Sequence, residues 1–278
     1  MQNVADCLSA FAIHLQVEER SHGTVEKYVR DVRRFLCWKG SKMLDKEQVS
    51  MWKVQLSVEG YTPETINSMI VALNRFLDFI GRSDCRVRTL RVQRKLFRQQ
   101  ERELTRTEYD RLVQTAERKG QARLALLLEA IAATGIRVSE VKYLTVEAAR
   151  AGRAEISLKG KIRVILLPNK LRRKLLKYAK KQKTVSGEVF LTRTGRSLSR
   201  KQIWAEMKAL CKAANIASDK VFPHNLRHLF AREFYKICQD VVKLADILGH
   251  SSIETTRIYL ISTGEEHMKQ LDQLRLIS

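Results

Sequence analysis

The sequence lacks the features of a membrane protein or an exported one. Its most apolar run, LALLLEAIAA, is about half the length that spans a bilayer, and it contains Glu129. The first residues, MQNVADCLSAFAIHLQ, have neither the basic start nor the small-residue cleavage site of a signal peptide. Five scattered cysteines without a CxxC pair indicate reduced thiols, not a disulfide framework or a zinc site. We therefore expect a cytoplasmic protein with no membrane contact and no bound metal.

Negative charge is also scarce. The 278 residues include 52 lysines and arginines but only 30 acids, which gives a formal net charge of +22. A folded core does not need this excess, and its self-repulsion opposes folding. A polyanionic partner explains the charge best, above all nucleic acid, and an anionic membrane surface explains it less well. A basic surface that serves only solubility is the alternative.

The length allows two domains of ordinary size as easily as one large one. Residues 1–85 predict a small helical domain, because VEKYVRDVRRFL and TPETINSMIVALNRFLDFIG are amphipathic and weaker periodicity suggests two more helices. Thr62 is expected to cap the helix in the second stretch, and Gly81 to end it. Residues 86–103 are predicted to be a basic interdomain linker that lies along a phosphate backbone, with a solvated linker as the alternative. The linker residues expected to contact DNA are Arg86, Arg88, Arg91, Arg94, Lys95 and Arg98.

Residues 104–278 form the second predicted domain, which combines helices with a small β-sheet. Thr105 and Glu108 fit a capping box at its first helix. ARLALLLEAIAATG is apolar on nearly all sides, which predicts a buried helix that ends at Gly135. AEISLKGKIRVILLP predicts an antiparallel hairpin around Gly160, and EVFL a third short strand. The expected fold class is therefore mainly α, of the α+β kind.

The stretch HNLRH places His224 and His228 at the spacing of the zinc-protease motif HExxH. That motif needs a glutamate as general base where this chain has Asn225, and Arg227 beside the imidazoles disfavours a dication. A zinc site is therefore not favoured. His224 and Arg227 share one face of a first helical turn, behind Pro223, where free amides and the helix dipole favour an anion. The stretch thus predicts a phosphate-binding site.

Two further motifs carry residues suited to an anionic substrate. In TGIRVSE, Arg137 follows the glycine that ends the buried helix, and Glu140 lies one turn later. An arginine in this position needs an anionic partner. A bound anion and a structural salt bridge with Glu140 are both open readings. In LGHSSIETTRIYL, His250 precedes Tyr259 by nine residues, and a tyrosine at helical spacing is by itself more typical of a core.

Four stretches together resemble the tyrosine recombinase (phage integrase) family, particularly its short bacterial, Xer-like members. They are TGIRVSEVKYL, SLKGKIRVILLP, HNLRHLFA and LGHSSIETTRIYL, which occur in the family's order and near its spacing. The resemblance spans most of residues 104–260. It implies a four-helix, SAM-like core-binding domain at the N-terminus. It also implies a mostly helical catalytic domain with a small antiparallel sheet.

The resemblance also implies roles for single residues. Arg137 and Arg227 are similar to the arginine pair that clamps the scissile phosphate. His224 resembles the first residue of the family's HxxR box, and His250 the histidine that follows the glycine in LGH. Tyr259 falls at the position of the nucleophile.

The hairpin and the residue after Arg137 complete the implied site. Lys159 resembles the lysine that donates a proton to the leaving 5′ oxygen, and Glu140 an acidic residue that supports the active site. The hairpin turn KGKIR is a residue shorter than the common form, so Lys161 is a rival to Lys159. Lys161 and Arg163 are otherwise expected to contact DNA.

The implied function is site-specific recombination of duplex DNA through a 3′-phosphotyrosyl intermediate, in integration, excision or resolution. It needs no metal, ATP or other cofactor, because two guanidinium groups stabilise the charge of the transition state. A homotetramer would act on two DNA sites, with accessory proteins possible. The residues after Tyr259 would dock on a neighbouring protomer, although packing within the same chain is also open. Two alternatives remain, a catalytically idle DNA-binding protein of this fold and a DNA-relaxing enzyme like type IB topoisomerases.

Overall fold

The computed structural model describes residues 4–92, 103–158, 161–250, 252–260 and 272–273. The chain divides into two compact units, Met1–Arg94 and Lys95–Ser278. Each unit has its own hydrophobic core. No helix in the described ranges combines the length and the apolar character needed to cross a bilayer.

The first unit is a bundle of four α-helices, as the sequence predicts. They are α1 (Val4–Val17), α2 (His22–Lys39), α3 (Lys46–Val58) and α4 (Pro63–Phe79). The Thr62 hydroxyl accepts the backbone N–H of Thr65 and caps α4, and Pro63 stands in its first turn, where no N–H is needed. The core holds two edge-to-face aromatic pairs, which are Phe11 with Phe76 (ring centroids 5.3 Å apart) and Phe35 with Trp52 (5.2 Å).

The segment that follows this bundle is fixed to it by two asparagines. The amide of Asn74 donates to the Val87 carbonyl at 2.9 Å and accepts the Val87 N–H at 3.2 Å. Asn67 makes the same pair of bonds with Leu90, at 2.9 and 2.6 Å. The first residues of the predicted linker, up to residue 92, therefore belong to the first unit. Of the basic linker residues, Arg86, Arg88 and Arg91 are exposed, while Arg94, Lys95 and Arg98 lie outside the described residues.

The second unit is built around one buried helix. Its helices are α5 (Arg106–Arg118), α6 (Ala122–Thr134), α7 (Val146–Ala151), α8 (Asn169–Lys181), α9 (Arg200–Ala214), α10 (Pro223–Cys238), α11 (Val241–Leu248) and α12 (Ile253–Leu260). The predicted capping box at α5 is confirmed, with reciprocal bonds between Thr105 and Glu108. Helix α6 is buried along most of its length and packs against α5, α8 and α10. Gly135 ends it in the left-handed conformation, as predicted.

An antiparallel hairpin, β1 (Arg153–Leu158) and β2 (Lys161–Leu166), forms the sheet of the described residues. In its register, Ile156 lies opposite Arg163 and Ala154 lies opposite Ile165. The third strand predicted from EVFL is wrong. Val189 and Phe190 are buried in the core, but this segment makes only isolated bridges, at Glu188 and Leu191, with loop residues.

Candidate active site

The end of α6 positions Arg137. Gly135 has φ +61°, and a Cβ there would lie 2.5 Å from the Phe230 ring and 2.9 Å from Leu248, so only glycine fits this turn. Two residues later Arg137 opens a short 3₁₀ turn, in which the buried Glu140 accepts the Arg137 backbone N–H at 3.0 Å and Nη1 at 2.9 Å. The salt bridge with Glu140, one of the two alternatives that the sequence left open, is therefore present. The guanidinium is still accessible to a ligand, because 40% of the Arg137 side chain is exposed.

Arg227 is the most deeply buried charge of the site. It lies in the second turn of α10, and only 1% of it is exposed. Its Nη1 donates to the Gly135 carbonyl at 2.5 Å, while Nη2 donates to the Leu248 carbonyl at 2.7 Å and lies 2.9 Å from Nε2 of His250. Burial, followed by the charge of Arg137, lowers the pKa of the Arg227 guanidinium. A buried charge of this kind is stable only because acceptors surround it.

The C-terminal end of α11 gathers three arginines from three different parts of the chain. The last carbonyls of a helix have no partner within the helix and carry the negative end of its dipole, so cations are favoured there. Three consecutive carbonyls each accept one guanidinium. The pairs are Ile247 with Arg163 (2.9 Å), Leu248 with Arg227 (2.7 Å) and Gly249 with Arg137 (3.1 Å).

His250 follows directly after these carbonyls. Its Nε2 faces Arg227, which can only donate, so Nε2 accepts and Nδ1 carries the proton. The Nδ1–H group then donates to Oγ1 of the buried Thr256, 2.8 Å away. Burial, together with the charges of Arg227, Arg137 and Arg163, lowers the pKa of His250 to about 4. The imidazole is therefore neutral at pH 7, with its tautomer set by both neighbours.

Tyr259 lies one turn after Thr256 on α12, among three imidazole rings. Its ring centroid is 4.3 Å from that of His228, 5.5 Å from that of His250 and 5.7 Å from that of His224. The Tyr259 and His250 rings are nearly parallel, with an interplanar angle of 10°. Only 5% of Tyr259 is exposed. Burial, with the charges of Arg227 and Arg137, lowers the pKa of His224.

The structure thus brings together Arg137, Glu140, His224, Arg227, His250 and Tyr259, all of which the sequence predicts as site residues. Lys159 lies outside the described residues, and Lys161 begins β2. Arg163 differs from expectation. The sequence predicts that it contacts DNA, yet only 11% of its side chain is exposed and its guanidinium binds Glu140 and Ile247 inside the protein.

Three residues of the site were not assigned to it from the sequence. They are Thr256, His228 and, in its internal position, Arg163. Thr256 lies three residues before Tyr259 and therefore on the same helical face, which was a usable signal. The alternation of β2 was another, because Arg163 shares a strand face with the buried Ile165. His228 lies one helical turn after His224, which places both rings beside the same partner.

A tyrosine that lies among three imidazoles and beside a buried arginine offers groups that bind anions and move protons, which is typical of the class of enzymes that act on phosphodiesters. Comparisons of the sequence agree with this class. The family model described as the phage integrase family matches residues 102–266, and its N-terminal SAM-like domain matches residues 8–83. The chain belongs to the phage integrase family of tyrosine recombinases, enzymes that break and rejoin DNA strands.

Known proteins resemble the chain over most of its length. The tyrosine recombinase XerA of Thermococcus kodakarensis is 28% identical over 100% of this chain and 98% of its own. A lambda integrase (75–356) dimer bound to a COC′ core site is similar in fold, with a TM-score of 0.73 at 16% identity over 92% of this chain and 94% of that one. A lambda integrase tetramer bound to a Holliday junction also gives a TM-score of 0.73, at 17% identity over 92% of this chain and 76% of that one. At these identities the two structures show the fold alone.

Proposed function

We propose that this protein is a site-specific DNA recombinase in which Tyr259 is the nucleophile. One observation carries the proposal. Tyr259 from α12 and His224 from α10 are 35 positions apart in the sequence, yet their rings lie 5.7 Å apart, beside the guanidinium of Arg227. Apolar side chains of α10 and α11 pack on Tyr259 as they would on a core tyrosine, but its ring also contacts three imidazoles, which can bind or transfer protons.

The two arginines have the positions that a phosphate clamp requires. A phosphodiester resists attack because its negative charge repels nucleophiles, and that charge is concentrated in the pentacoordinate transition state. Preorganised guanidinium groups offset it without reorganisation at the moment of reaction. The exposed Arg137 receives the phosphate first. Arg227 exchanges part of its internal hydrogen bonding for a phosphate oxygen.

The reaction conserves the phosphodiester. The Tyr259 oxygen attacks the scissile phosphorus and gives up its proton, while the bond from phosphorus to the 5′ oxygen breaks and that oxygen takes up a proton. The 3′ phosphate remains bound to Tyr259, and a 5′ hydroxyl from a second strand reverses the step, so rejoining needs no ATP. Lys159 donates the proton to the leaving oxygen, with Lys161 as the rival donor. The two guanidinium groups supply the positive charge, so no metal or other cofactor takes part.

Access to the nucleophile is controlled by α12. A phosphate reaches Tyr259 only if α12 moves, because 5% of this residue and 1% of Arg227 are exposed. We propose that assembly of a homotetramer on two DNA sites drives this movement. The residues after Tyr259 would dock on a neighbouring protomer, and these tail residues lie outside the described part of the chain. The likeness in fold to a lambda integrase tetramer supports this assembly.

DNA contacts are proposed for both units. Residues 1–85 are the core-binding domain and residues 104–278 the catalytic domain, while the basic segment 86–103 begins on the first unit, to which residues 86–92 are fixed. The exposed Arg86, Arg88 and Arg91 support a DNA-facing segment, although Arg86 also pairs with Asp78 at 3.3 Å. The net charge of +22 is consistent with a DNA partner. The free thiols of all five cysteines support a cytoplasmic location.

Covalent trapping tests the proposed function. Nicked duplexes drawn from the source genome are incubated with the protein in a chelator and separated on a denaturing gel. We expect an adduct with wild type and with the matched control Tyr178→Phe, but none with Tyr259→Phe. Site binding without any adduct would favour the idle DNA-binding protein. An adduct together with relaxation of single plasmids by a monomer would favour the topoisomerase-like enzyme.

A further inference from the structure

Arg163 lies on the inward face of β2, opposite the buried Ile156 and on the same side as Ile165. Its Nη1 donates to Oε2 of Glu140 and its Nη2 to the Ile247 carbonyl, both at 2.9 Å. The remaining nitrogen, Nε, is buried and has no hydrogen-bond partner among the described residues. Burying a guanidinium costs hydration free energy, which hydrogen bonds and ion pairs within the protein must compensate. The two groups that Arg163 binds therefore indicate what it does.

The first contact leads to Arg137. Glu140 is buried, and its two carboxylate oxygens accept hydrogen bonds from both Arg137 and Arg163. Oε1 accepts Arg137 Nη1 at 2.9 Å, while Oε2 accepts the Arg137 backbone N–H at 3.0 Å and Arg163 Nη1 at 2.9 Å. Arg163 binds the carboxylate oxygen that the Arg137 guanidinium does not contact, and it thereby fixes the Glu140 rotamer. The Glu140 rotamer, in turn, fixes the direction of the Arg137 guanidinium.

The second contact leads to His250. Ile247 is the first of the three carbonyls that end α11, and Arg163 holds it from the hairpin side while Arg227 and Arg137 hold the next two. Gly249 has φ +62°, and a Cβ at that position would collide with the aliphatic stem of Arg163. The chain therefore passes closely around Arg163 just before it reaches His250.

We infer that Arg163 is a positioning residue of the active site, which orients Arg137 through Glu140 and orients His250 through the Ile247 carbonyl. The inference rests on the proposed function, because it concerns the same phosphate clamp. It replaces the expectation that Arg163 contacts DNA, because only 11% of the side chain is exposed and its guanidinium binds groups of the second unit.

The test compares two substitutions with a matched control in the same hairpin. Arg163→Met keeps the length and removes both donors, and Arg163→Lys keeps the charge but cannot reach both acceptors with one ammonium. Arg153→Met is the control, because Arg153 is exposed at the far end of the hairpin and, among the described residues, its ion pair is with the exposed Glu155. Single-turnover rates of covalent adduct formation are measured at saturating DNA, on a site recovered from the wild-type adduct.

Two versions of the scissile group separate positioning from a general folding defect. One is the natural phosphate, and the other is a methylphosphonate, which has lost one negative charge and depends less on the arginine clamp. On the phosphate, we expect Arg163→Met to slow adduct formation roughly 100-fold, as a misplaced catalytic group does. On the methylphosphonate, the decrease in rate should be much smaller for Arg163→Met, as it should be for Arg137→Ala. The rate of Arg163→Lys on the phosphate should lie between those of Arg163→Met and wild type.

Several outcomes would overturn the inference. Equal losses on both substrates would mean that Arg163 serves the fold only. Weaker DNA binding with an unchanged rate at saturation would restore the DNA-contact prediction. If Arg163→Met does not fold, a wild-type rate for Arg163→Lys would still exclude a positioning role. Absence of an adduct with wild type would instead refute the proposed function, and the inference with it.

Discussion

Exchanging Arg227 for methionine should destabilise the second unit far more than the same exchange at Arg137. Arg227→Met leaves three acceptors without their donor, the carbonyls of Gly135 and Leu248 and Nε2 of His250. Each buried acceptor without a partner costs about 1–3 kcal/mol. Removal of a buried charge offsets part of this loss, so we expect a net loss of about 3 kcal/mol. Arg137→Met removes a donor from the buried Glu140, but Arg163 and the Arg137 backbone N–H remain bound to this carboxylate, so we expect a loss of only about 1 kcal/mol.

Urea unfolding of the full chain, followed by circular dichroism, measures this difference. The transition of the first unit serves as an internal reference, because neither substitution touches it, and Arg153→Met reports the effect of losing an exposed arginine. Both Arg227→Met and Arg137→Met should abolish adduct formation. If Arg227→Met unfolded within about 1 kcal/mol of wild type, its internal hydrogen bonds would not hold the end of α11, and the reasoning would be refuted.

Three further predictions concern the same part of the second unit. The pKa of His250 is about 4 in the fold and about 6.5 in an unfolded chain, so the unfolded state takes up the extra proton between these values. The free energy of unfolding should therefore fall by about 1–2 kcal/mol from pH 6.5 to pH 4, after allowance for partial exposure, and His250→Gln should remove that part of the slope in urea titrations. Thr256→Val removes the acceptor that sets the His250 tautomer, so adduct formation should slow roughly 10-fold. Thr256→Ser keeps the hydroxyl and should keep the wild-type rate. An unchanged rate for Thr256→Val would show that the tautomer does not affect the reaction. Gly135→Ala places a Cβ against Phe230 and Leu248 at φ +61° and should cost at least about 2 kcal/mol, which thermal unfolding would detect.

Local features of the structure were predictable because they depend on neighbours in the sequence. The cap at Thr62, the capping box at Thr105 and the left-handed end at Gly135 each need only a few adjacent residues. The two helical segments of the first unit followed from their apolar periodicity. The residues brought together in the candidate site were found from four short motifs in order, not from spacing alone.

The burial of the site residues and the hydrogen bonds between them depend on long-range contacts, so they were not predictable from neighbouring residues. The burial of Arg227 follows from acceptors 92 and 21 residues away. Arg163 was expected to contact DNA because the sequence alone does not distinguish a basic residue that binds DNA from one that is buried. Only the alternation of β2 indicated that its side chain lies on the buried face. Residues 86–92 were assigned to the linker because their composition is basic, whereas two asparagine side chains fix their backbone to the first unit.

The most direct test of the account is to identify the bond between the protein and DNA. The trapped wild-type adduct, formed in the presence of a chelator, is digested with nuclease and trypsin and analysed by mass spectrometry. The account predicts a nucleotide joined through its 3′ phosphate to Tyr259, in the peptide of residues 258–269, and a free 5′ hydroxyl on the released strand. A nucleotide on any other residue, or one joined through a 5′ phosphate, would contradict it.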